Sequence, residues 1–103
     1  MLAGGRDKNL PWDDFVDFVR NKVDHLILFG EAAEKIYNSF DFSEQNHLTI
    51  ERCDSLKVAV QRASEIIEPG DIVLLSPGGT SFDEFADFEE RGNYYTQWVR
   101  ELP

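Results

Sequence analysis

Two short apolar runs interrupt an otherwise mixed chain and predict buried strands. Residues 25–29 read HLILF and residues 72–75 read IVLL, and each run follows an aspartate and precedes a turn containing glycine or proline. Runs of branched apolar residues without polar alternation are typical of parallel strands that are covered on both faces. We therefore expect both runs at the centre of a sheet. Residues 1–3 resemble the end of a further buried strand, and residues 47–50 (HLTI) predict one more short strand.

Helical periodicity lies between these runs. The clearest amphipathic face contains Leu56, Ala59, Val60, Ala63 and Ile67. We expect Asp54 to cap the start of this helix and Pro69-Gly70 to stop it. An earlier helix is predicted over residues 11–22 and a third over residues 31–40. The apolar stripe of the earlier helix is Trp12, Phe15, Val16 and Val19.

Residues 76–92 predict a loop and then a helix. Ser81 followed by Glu84 forms a capping-box pattern, so we expect a helix to begin there. Gly92 suits the left-handed position that ends a helix, and a last helix is expected from about Asn93. The apolar stripe of the first of these helices is Phe82, Phe85 and Phe88. Its acidic residues between positions 83 and 90 are expected to face solvent.

Strands that alternate with helices predict an α/β fold, in which a mostly parallel sheet is covered by helices on both faces. The expected architecture is a three-layer, Rossmann-like domain. The 103 residues are enough for one compact core, so residues 1–103 are predicted to form a single domain. Because the opening strand starts abruptly, we expect the chain to be a fragment that lacks the first strand and helix of this architecture.

Composition narrows the range of partners. Twenty acidic against ten basic residues give a formal net charge of −10, which repels nucleic acid and anionic membrane surfaces. No apolar run approaches the roughly 20 residues that span a bilayer. Cys53 is the only cysteine, so we expect a reducing, cytoplasmic location and a small buried residue rather than a nucleophile. His25 and His47 are too widely separated in the sequence to form a metal motif.

Ligands of open α/β sheets bind beyond the carboxyl ends of the strands, which directs attention to the loops after Ala3 and after Ser76. The first loop reads GGRDK, in which the glycines permit a tight turn and Lys8 offers a positive charge to a carboxylate or phosphate. Its spacing fits neither a Walker loop nor a dinucleotide-binding loop. The second loop reads SPGGTS, and its backbone N–H groups favour an anion. The alternatives are a solvated turn for the first loop and a simple helix cap for Ser81.

Two terminal segments together indicate a family. Residues 74–85 (LLSPGGTSFDEF) and residues 88–92 (FEERG) resemble the closing segment of the D-glutamate-adding Mur ligases, and residues 2–8 (LAGGRDK) resemble the lysine loop of the same enzymes. Between residues 31 and 68 the resemblance extends only to the rhythm of strands and helices. Gly78-Gly79-Thr80 stands where that family often has Ala-Cys-Ala, a departure that keeps the loop small.

The resemblance implies that the chain is the C-terminal, amino-acid-binding domain of a three-domain cytoplasmic enzyme of peptidoglycan precursor synthesis. Such a ligase uses ATP and magnesium to convert the carboxylate of UDP-N-acetylmuramoyl-L-alanine into an acyl phosphate, which the amine of D-glutamate attacks. The sites for ATP, magnesium and the nucleotide sugar lie in the other two domains of the family. The isolated chain is therefore expected to be inactive, to hold no cofactor or metal and to carry no catalytic residue.

The resemblance also implies contacts with D-glutamate. Lys8 would meet one carboxylate, the hydroxyl of Ser81 would donate to the other, and the backbone N–H groups of Phe82 and Phe88 would assist. Two alternatives stay open. One is a stand-alone nucleotide- or phosphate-binding α/β module, which the glycine-rich loops suggest. The other is a non-catalytic interaction domain that presents the acidic face of residues 83–90 to a basic partner.

Overall fold

The computed structural model describes residues 1–6, 11–40 and 48–103 of the chain. Within these residues, strands and helices alternate, which confirms the predicted α/β class. The strands are β1 (Leu2–Gly4), β2 (His25–Phe29), β3 (Thr49–Cys53) and β4 (Leu75–Gly78), and the helices are α1 (Asp13–Lys22), α2 (Ala33–Asn38), α3 (Leu56–Ile66) and α4 (Phe88–Arg100). The strand predicted over residues 47–50 is β3, although His47 lies outside the described residues.

The four described strands form one parallel sheet in the order β3-β2-β1-β4. Leu2 of β1 pairs with Ile27 on one side and with Leu75 on the other, so the short first strand lies between two neighbours. The chain adds β2 and β3 on one side of β1 and then crosses over to place β4 on the opposite side. The boundary between β1 and β4 is therefore the switch point of the sheet.

Apolar side chains cover both faces of the sheet. Because side chains alternate along β2, Leu26 and Leu28 lie on one face of the sheet, and Ile27 and Phe29 lie on the other. The buried residues of α1 and α2 pack on the first face. Those of α3, with the half-buried aromatic residues of α4, pack on the second face. The protein therefore has the three layers that the sequence predicts.

The three helices before residue 67 follow the predicted periodicity with shorter bounds. Their buried residues are Val16 and Val19 in α1, Ala33 and Ile36 in α2, and Leu56, Ala59, Val60 and Ala63 in α3. Two details of α3 differ from the prediction. Ser55 rather than Asp54 caps the helix, since its Oγ accepts a hydrogen bond from the N–H of Val58 at 3.3 Å. Ile67 lies beyond the last turn and is 45% exposed.

The strand predicted over residues 72–75 is displaced and lies at an edge. β4 begins only at Leu75, and within the described residues it pairs with β1 alone. Ile72 is consequently 90% exposed and Leu74 is 54% exposed. The prediction was wrong because a run of branched residues reports a tendency to be covered, whereas actual burial depends on which elements lie on either side.

The two helices predicted after residue 80 are one helix that starts later. Residues 82–84 form a turn, and α4 begins at Phe88 and continues through Gly92. Asp87 rather than Ser81 caps this helix, because its carboxylate accepts the N–H three residues further on at 2.8 Å. Gly92 is therefore an interior helix residue and not a C-cap.

The later start exposes two residues of the predicted apolar stripe. Phe82 is 59% exposed and Phe88 is 77% exposed, whereas Phe85 packs near the rings of Tyr94 and Trp98. The prediction for Phe82 and Phe88 was wrong because it extended helical spacing from Ser81 into a segment that forms a turn. Only the residues after Asp87 are helical.

Glu84 caps a different helix from the one predicted. Its carboxylate oxygens accept the N–H of Leu56, the first residue of α3, at 3.2 and 3.3 Å. The negative charge meets the positive end of the helix dipole there. Burial raises the pKa of Glu84 above its ordinary value, and the hydrogen bond from Leu56 only partly opposes that effect. This contact ties the segment after β4 to the start of α3.

Exposure predicts a contrast between two apolar substitutions. Leu28→Ala should reduce the free energy of unfolding by about 2–5 kcal/mol, because Leu28 is fully buried in β2 and its truncation leaves a cavity. Ile72→Ala should change it by less than about 0.5 kcal/mol, because that side chain is already in solvent. Urea titrations followed by circular dichroism measure both values. A loss at Ile72 as large as that at Leu28 would contradict the exposed position of residue 72.

The raised pKa of Glu84 makes stability depend on pH in a defined direction. The folded state holds the proton more tightly than the unfolded state. Protonated Glu84 therefore stabilises the folded state. This stabilisation is complete below the unfolded pKa, about 4.3 for glutamate, and is lost as pH rises through the folded pKa. Glu84→Gln stays neutral at every pH and keeps an oxygen for the N–H of Leu56. We expect the unfolding free energy of the wild type, relative to Glu84→Gln, to fall between about pH 4 and pH 7.

Urea titrations at both pH values measure this difference. Glu89→Gln is the matched control, because it removes one carboxylate from the exposed side of α4 and leaves the contact with Leu56 intact. A difference between wild type and Glu84→Gln that stays constant with pH would contradict the prediction.

Candidate functional site

The switch point brings two loops together. Gly5 and Arg6 leave the carboxyl end of β1, and Gly79 and Thr80 leave the carboxyl end of β4. Arg6 and Thr80 exchange two backbone hydrogen bonds, each of 2.9 Å, in a short antiparallel bridge. We call this contact the loop bridge. It sets side by side the two loops that the sequence singles out for ligand binding.

Glycine is required at the loop bridge because the backbones approach too closely for side chains. Gly5 has a φ of 107°, and a Cβ atom there would lie 2.2 Å from the carbonyl oxygen of Thr80. A Cβ atom on Gly79 would lie 2.8 Å from the carbonyl oxygens of Gly4 and Arg6. Side chains at these positions would push the loops apart. The glycine-rich loops thus form a surface of backbone groups at the carboxyl edge of the sheet.

A buried arginine lies against both loops. Arg91, near the start of α4, is 9% exposed, and its Nη1 donates to the carbonyl oxygen of Gly79 at 3.1 Å. The same nitrogen lies 3.2 Å from the position that a Cβ atom on Gly5 would occupy. Burial lowers the pKa of Arg91, while the nearby charges of Asp83 and Glu84 oppose that effect. The guanidinium thus places a positive charge next to the loop bridge.

The loop after β2 reaches the same edge through Asp83. The Oδ2 of Asp83 accepts the N–H of Glu31 at 3.1 Å, and a Cβ atom on Gly30 would lie 2.3 Å from that oxygen. The Glu31 carboxylate in turn pairs with Arg6, whose Nε lies 3.1 Å from its Oε2. Residues 79–87, which we call the β4–α4 loop, are therefore linked to the loops after β1 and β2, and through Glu84 to α3.

Two of the three acidic residues of the β4–α4 loop do not face solvent as the sequence predicts. Asp83, Glu84 and Asp87 each accept a backbone N–H. The prediction was wrong for Asp83 and Glu84, which are partly buried, because it applied helical spacing to a loop whose carboxylates turn towards neighbouring N–H groups. Asp87 is exposed, as predicted. Glu89, in the helix itself, is exposed as predicted.

The predicted D-glutamate contacts occupy different settings. Lys8 belongs to residues 7–10, which lie outside the described residues. Ser81 is 2% exposed, and its carbonyl oxygen accepts two backbone N–H groups of the following turn at 2.8 and 3.2 Å. Phe82 follows it in that turn. Phe88 is the first residue of α4, and the first N–H groups of a helix have no partner within the helix. Ser81 and Phe82 thus directly follow the loop bridge.

Two residues of this edge escaped prediction. Arg91 entered the sequence analysis only as part of the FEERG segment (residues 88–92) that resembles the family, and no contact was assigned to it. Asp83 was assigned to a solvent-facing helix side. Its partner Glu31 is 52 residues away in the sequence, so no local pattern points to their contact.

Other reactive side chains offer little chemistry. Cys53 ends β3 and is half-buried, and burial raises the pKa of its thiol, so the reactive thiolate is disfavoured. His25 is exposed at the amino end of β2. In the part of the chain that the structure describes, no group of His, Cys, Asp and Glu side chains is arranged to hold a metal ion. No helix among these residues is long and apolar enough to cross a membrane.

Comparison with known proteins gives consistent matches. The family described as Mur ligase, glutamate ligase domain, matches residues 1–79. The UDP-N-acetylmuramoylalanine--D-glutamate ligase of Ruminiclostridium cellulolyticum is 37% identical over 107 residues, which cover 99% of this chain and 23% of that enzyme. The enzyme of the same name from Syntrophotalea carbinolica is 41% identical over 102 residues, covering 99% of this chain and 22% of that enzyme. The chain thus spans less than a quarter of the length of these curated relatives.

The family match covers most of the chain. The parallel sheet, with helices on both faces, is the Rossmann-like architecture that the resemblance implies. The chain therefore belongs to the Mur ligase family and represents its glutamate ligase domain.

Proposed function

We propose that this chain positions D-glutamate within an ATP-dependent ligase that adds it to UDP-N-acetylmuramoyl-L-alanine. The curated relatives are named as ligases of UDP-N-acetylmuramoylalanine and D-glutamate. The observation that carries the proposal is the loop bridge, because Arg6 and Thr80 join the two loops that resemble the family's lysine loop and closing segment. In this proposal residues 1–103 act as one domain of a cytoplasmic enzyme of peptidoglycan precursor synthesis.

The charge of the chain supports a local site of this kind. D-glutamate brings two carboxylates to a chain whose formal net charge is −10, so it binds only where nearby groups outweigh the general repulsion. In this proposal Lys8, two residues beyond the loop bridge, meets one carboxylate. The hydroxyl of Ser81 donates to the other carboxylate. The backbone N–H groups of Phe82 and Phe88 complete the site, with Phe88 at the positive end of α4.

The task of the chain in this proposal is positioning. Among the described residues no side-chain cluster fits a metal ion, and the sequence contains no Walker loop for a nucleotide. The family resemblance assigns ATP and magnesium to other parts of the ligase, where they supply the activation of the acceptor carboxylate. This chain holds the amine of D-glutamate in place for that activated group. Such alignment turns a bimolecular encounter into a nearly unimolecular one.

Phosphate release by the ligase polypeptide that contains this chain tests the proposal. With ATP, magnesium and UDP-N-acetylmuramoyl-L-alanine present, we expect turnover with D-glutamate and only background with L-glutamate, meso-diaminopimelate or L-lysine. Absence of turnover with every acceptor, from folded protein, would contradict the proposal. Tight binding of inorganic phosphate by the 103 residues alone would then favour the phosphate-binding module.

Two variants test the assigned contacts. Lys8→Ala and Ser81→Ala should each raise the KM for D-glutamate about 10- to 150-fold, because each removes a hydrogen bond to a charged carboxylate. The KM for ATP should stay nearly unchanged. Lys57→Ala and Ser64→Ala are the matched controls, because they remove the same chemical groups from α3, where both residues line a groove with Trp98 and Leu102 at the end of the chain. Wild-type kinetics in both test variants would remove Lys8 and Ser81 from the site.

A further inference from the structure

We propose that Arg91 is a positioning residue for D-glutamate, which holds the Gly79 carbonyl and thereby the loop that presents Ser81. The inference rests on the proposed function, because it concerns how the same site is shaped. It gives a role to the one basic residue of the FEERG segment (residues 88–92), which the proposed D-glutamate contacts leave unused.

Arg91 connects the three segments that carry the proposed contacts. Its own helix begins with Phe88. Its Nη1 donates at 3.1 Å to the carbonyl oxygen of Gly79, two residues before Ser81. The same nitrogen lies 3.2 Å from the place of a Cβ atom on Gly5, at the start of the lysine loop. One side chain therefore lies between α4, the β4–α4 loop and the loop after β1.

The hydrogen bond from Arg91 fixes a single peptide unit. The carbonyl of Gly79 and the N–H of Thr80 belong to the same planar group. That N–H donates to the carbonyl oxygen of Arg6 at 2.9 Å, so the two sides of the peptide are held by different segments. Without the guanidinium, the conformational freedom of Gly79 would allow this peptide to turn. The direction in which the chain enters Ser81 would then no longer be set.

Arg91 differs from the paired arginines of the surface. Arg6, Arg52 and Arg62 each pair with a carboxylate and remain at least partly in solvent. Arg91 is 9% exposed, and among the described residues its guanidinium pairs directly with no carboxylate. Burial of a charge without an ion pair is unfavourable for folding. We therefore attribute this charge to the neighbouring site and not to the stability of the core.

The same arrangement gives the charge of Arg91 an effect on ligands. A positive charge in a poorly solvated position acts strongly on nearby anions. The two carboxylates whose charges act on its guanidinium, Asp83 and Glu84, accept the N–H groups of Glu31 and Leu56. Arg91 consequently adds to the attraction of the edge for a dianionic amino acid while touching only the loop.

Steady-state kinetics of the ligase polypeptide that contains this chain test the inference. Arg91→Met keeps an unbranched apolar stem and removes the charge and the donors of the side chain. We expect it to raise the KM for D-glutamate about 10- to 100-fold, as for the loss of a hydrogen bond from a charged group. The KM for ATP should change by less than about twofold. Arg91→Lys keeps the positive charge but lacks the planar donors, so its KM for D-glutamate should lie between those of the wild type and Arg91→Met.

Arg62→Met is the matched control. It removes a paired arginine from α3, which packs on the same face of the sheet, and leaves the loop bridge intact. Both KM values should remain at the wild-type level in this variant. A second readout is the backbone N–H of Thr80 in the 103-residue chain, followed by nuclear magnetic resonance. In Arg91→Lys this signal should shift and exchange with solvent faster, while the N–H signals of β2 stay unchanged.

The outcomes separate this inference from the proposed function. An unaltered polypeptide that shows no turnover with D-glutamate would overturn the proposed function and, with it, the ligand that Arg91 serves. Normal turnover together with an unchanged KM for D-glutamate in Arg91→Met would overturn only the role of Arg91. A rise of equal size in the KM for ATP would also overturn the role of Arg91, because it would indicate a general structural defect. A Thr80 signal that does not move in Arg91→Lys would also exclude the positioning role.

Discussion

The close approach of two backbones at the switch point is the constraint on which the candidate site depends. Parallel strands bring their carboxyl ends to one edge, but β4 reaches β1 only after the chain has crossed back over the sheet. The two loops meet because Gly5 and Gly79 stand where a Cβ atom would collide with a carbonyl oxygen. The bridge between Arg6 and Thr80 then pairs backbone groups that a buried loop must satisfy.

Although the chain is acidic, carboxylates of the β4–α4 loop hold this edge together. Asp83, Glu84 and Asp87 come from one loop, and each accepts an N–H from a different segment, at the loop after β2, at α3 and at α4. Negative charge at the start of a helix is stabilised by the helix dipole. These bonds also engage the carboxylates of the loop. A net charge of −10 therefore coexists with an edge where, among the described residues, Arg91 remains without an ion pair.

Periodicity predicts much of this fold because short-range spacing decides which side of a helix or strand is apolar. The buried residues of α1, β2 and α3 follow from that spacing. It fails where tertiary context decides, as at Ile72, which is exposed because it precedes β4 and lies outside the sheet. The rule that ligands bind beyond strand ends singled out two loops, and the structure places these loops side by side. It did not reveal Arg91, because its contact with Gly79 exists only once α4 packs against the sheet.

Glycine-rich loops present a difficulty for a domain whose proposed task is alignment. A displacement of about 1 Å at the reacting groups is enough to slow a reaction by about 100-fold, and glycine has the greatest backbone freedom of any residue. The structure addresses this by holding both sides of one peptide. The backbone of Arg6 accepts the Thr80 N–H, and the side chain of Arg91 binds the Gly79 carbonyl. The glycines allow the two loops to meet, and these two contacts remove the freedom that the glycines introduce.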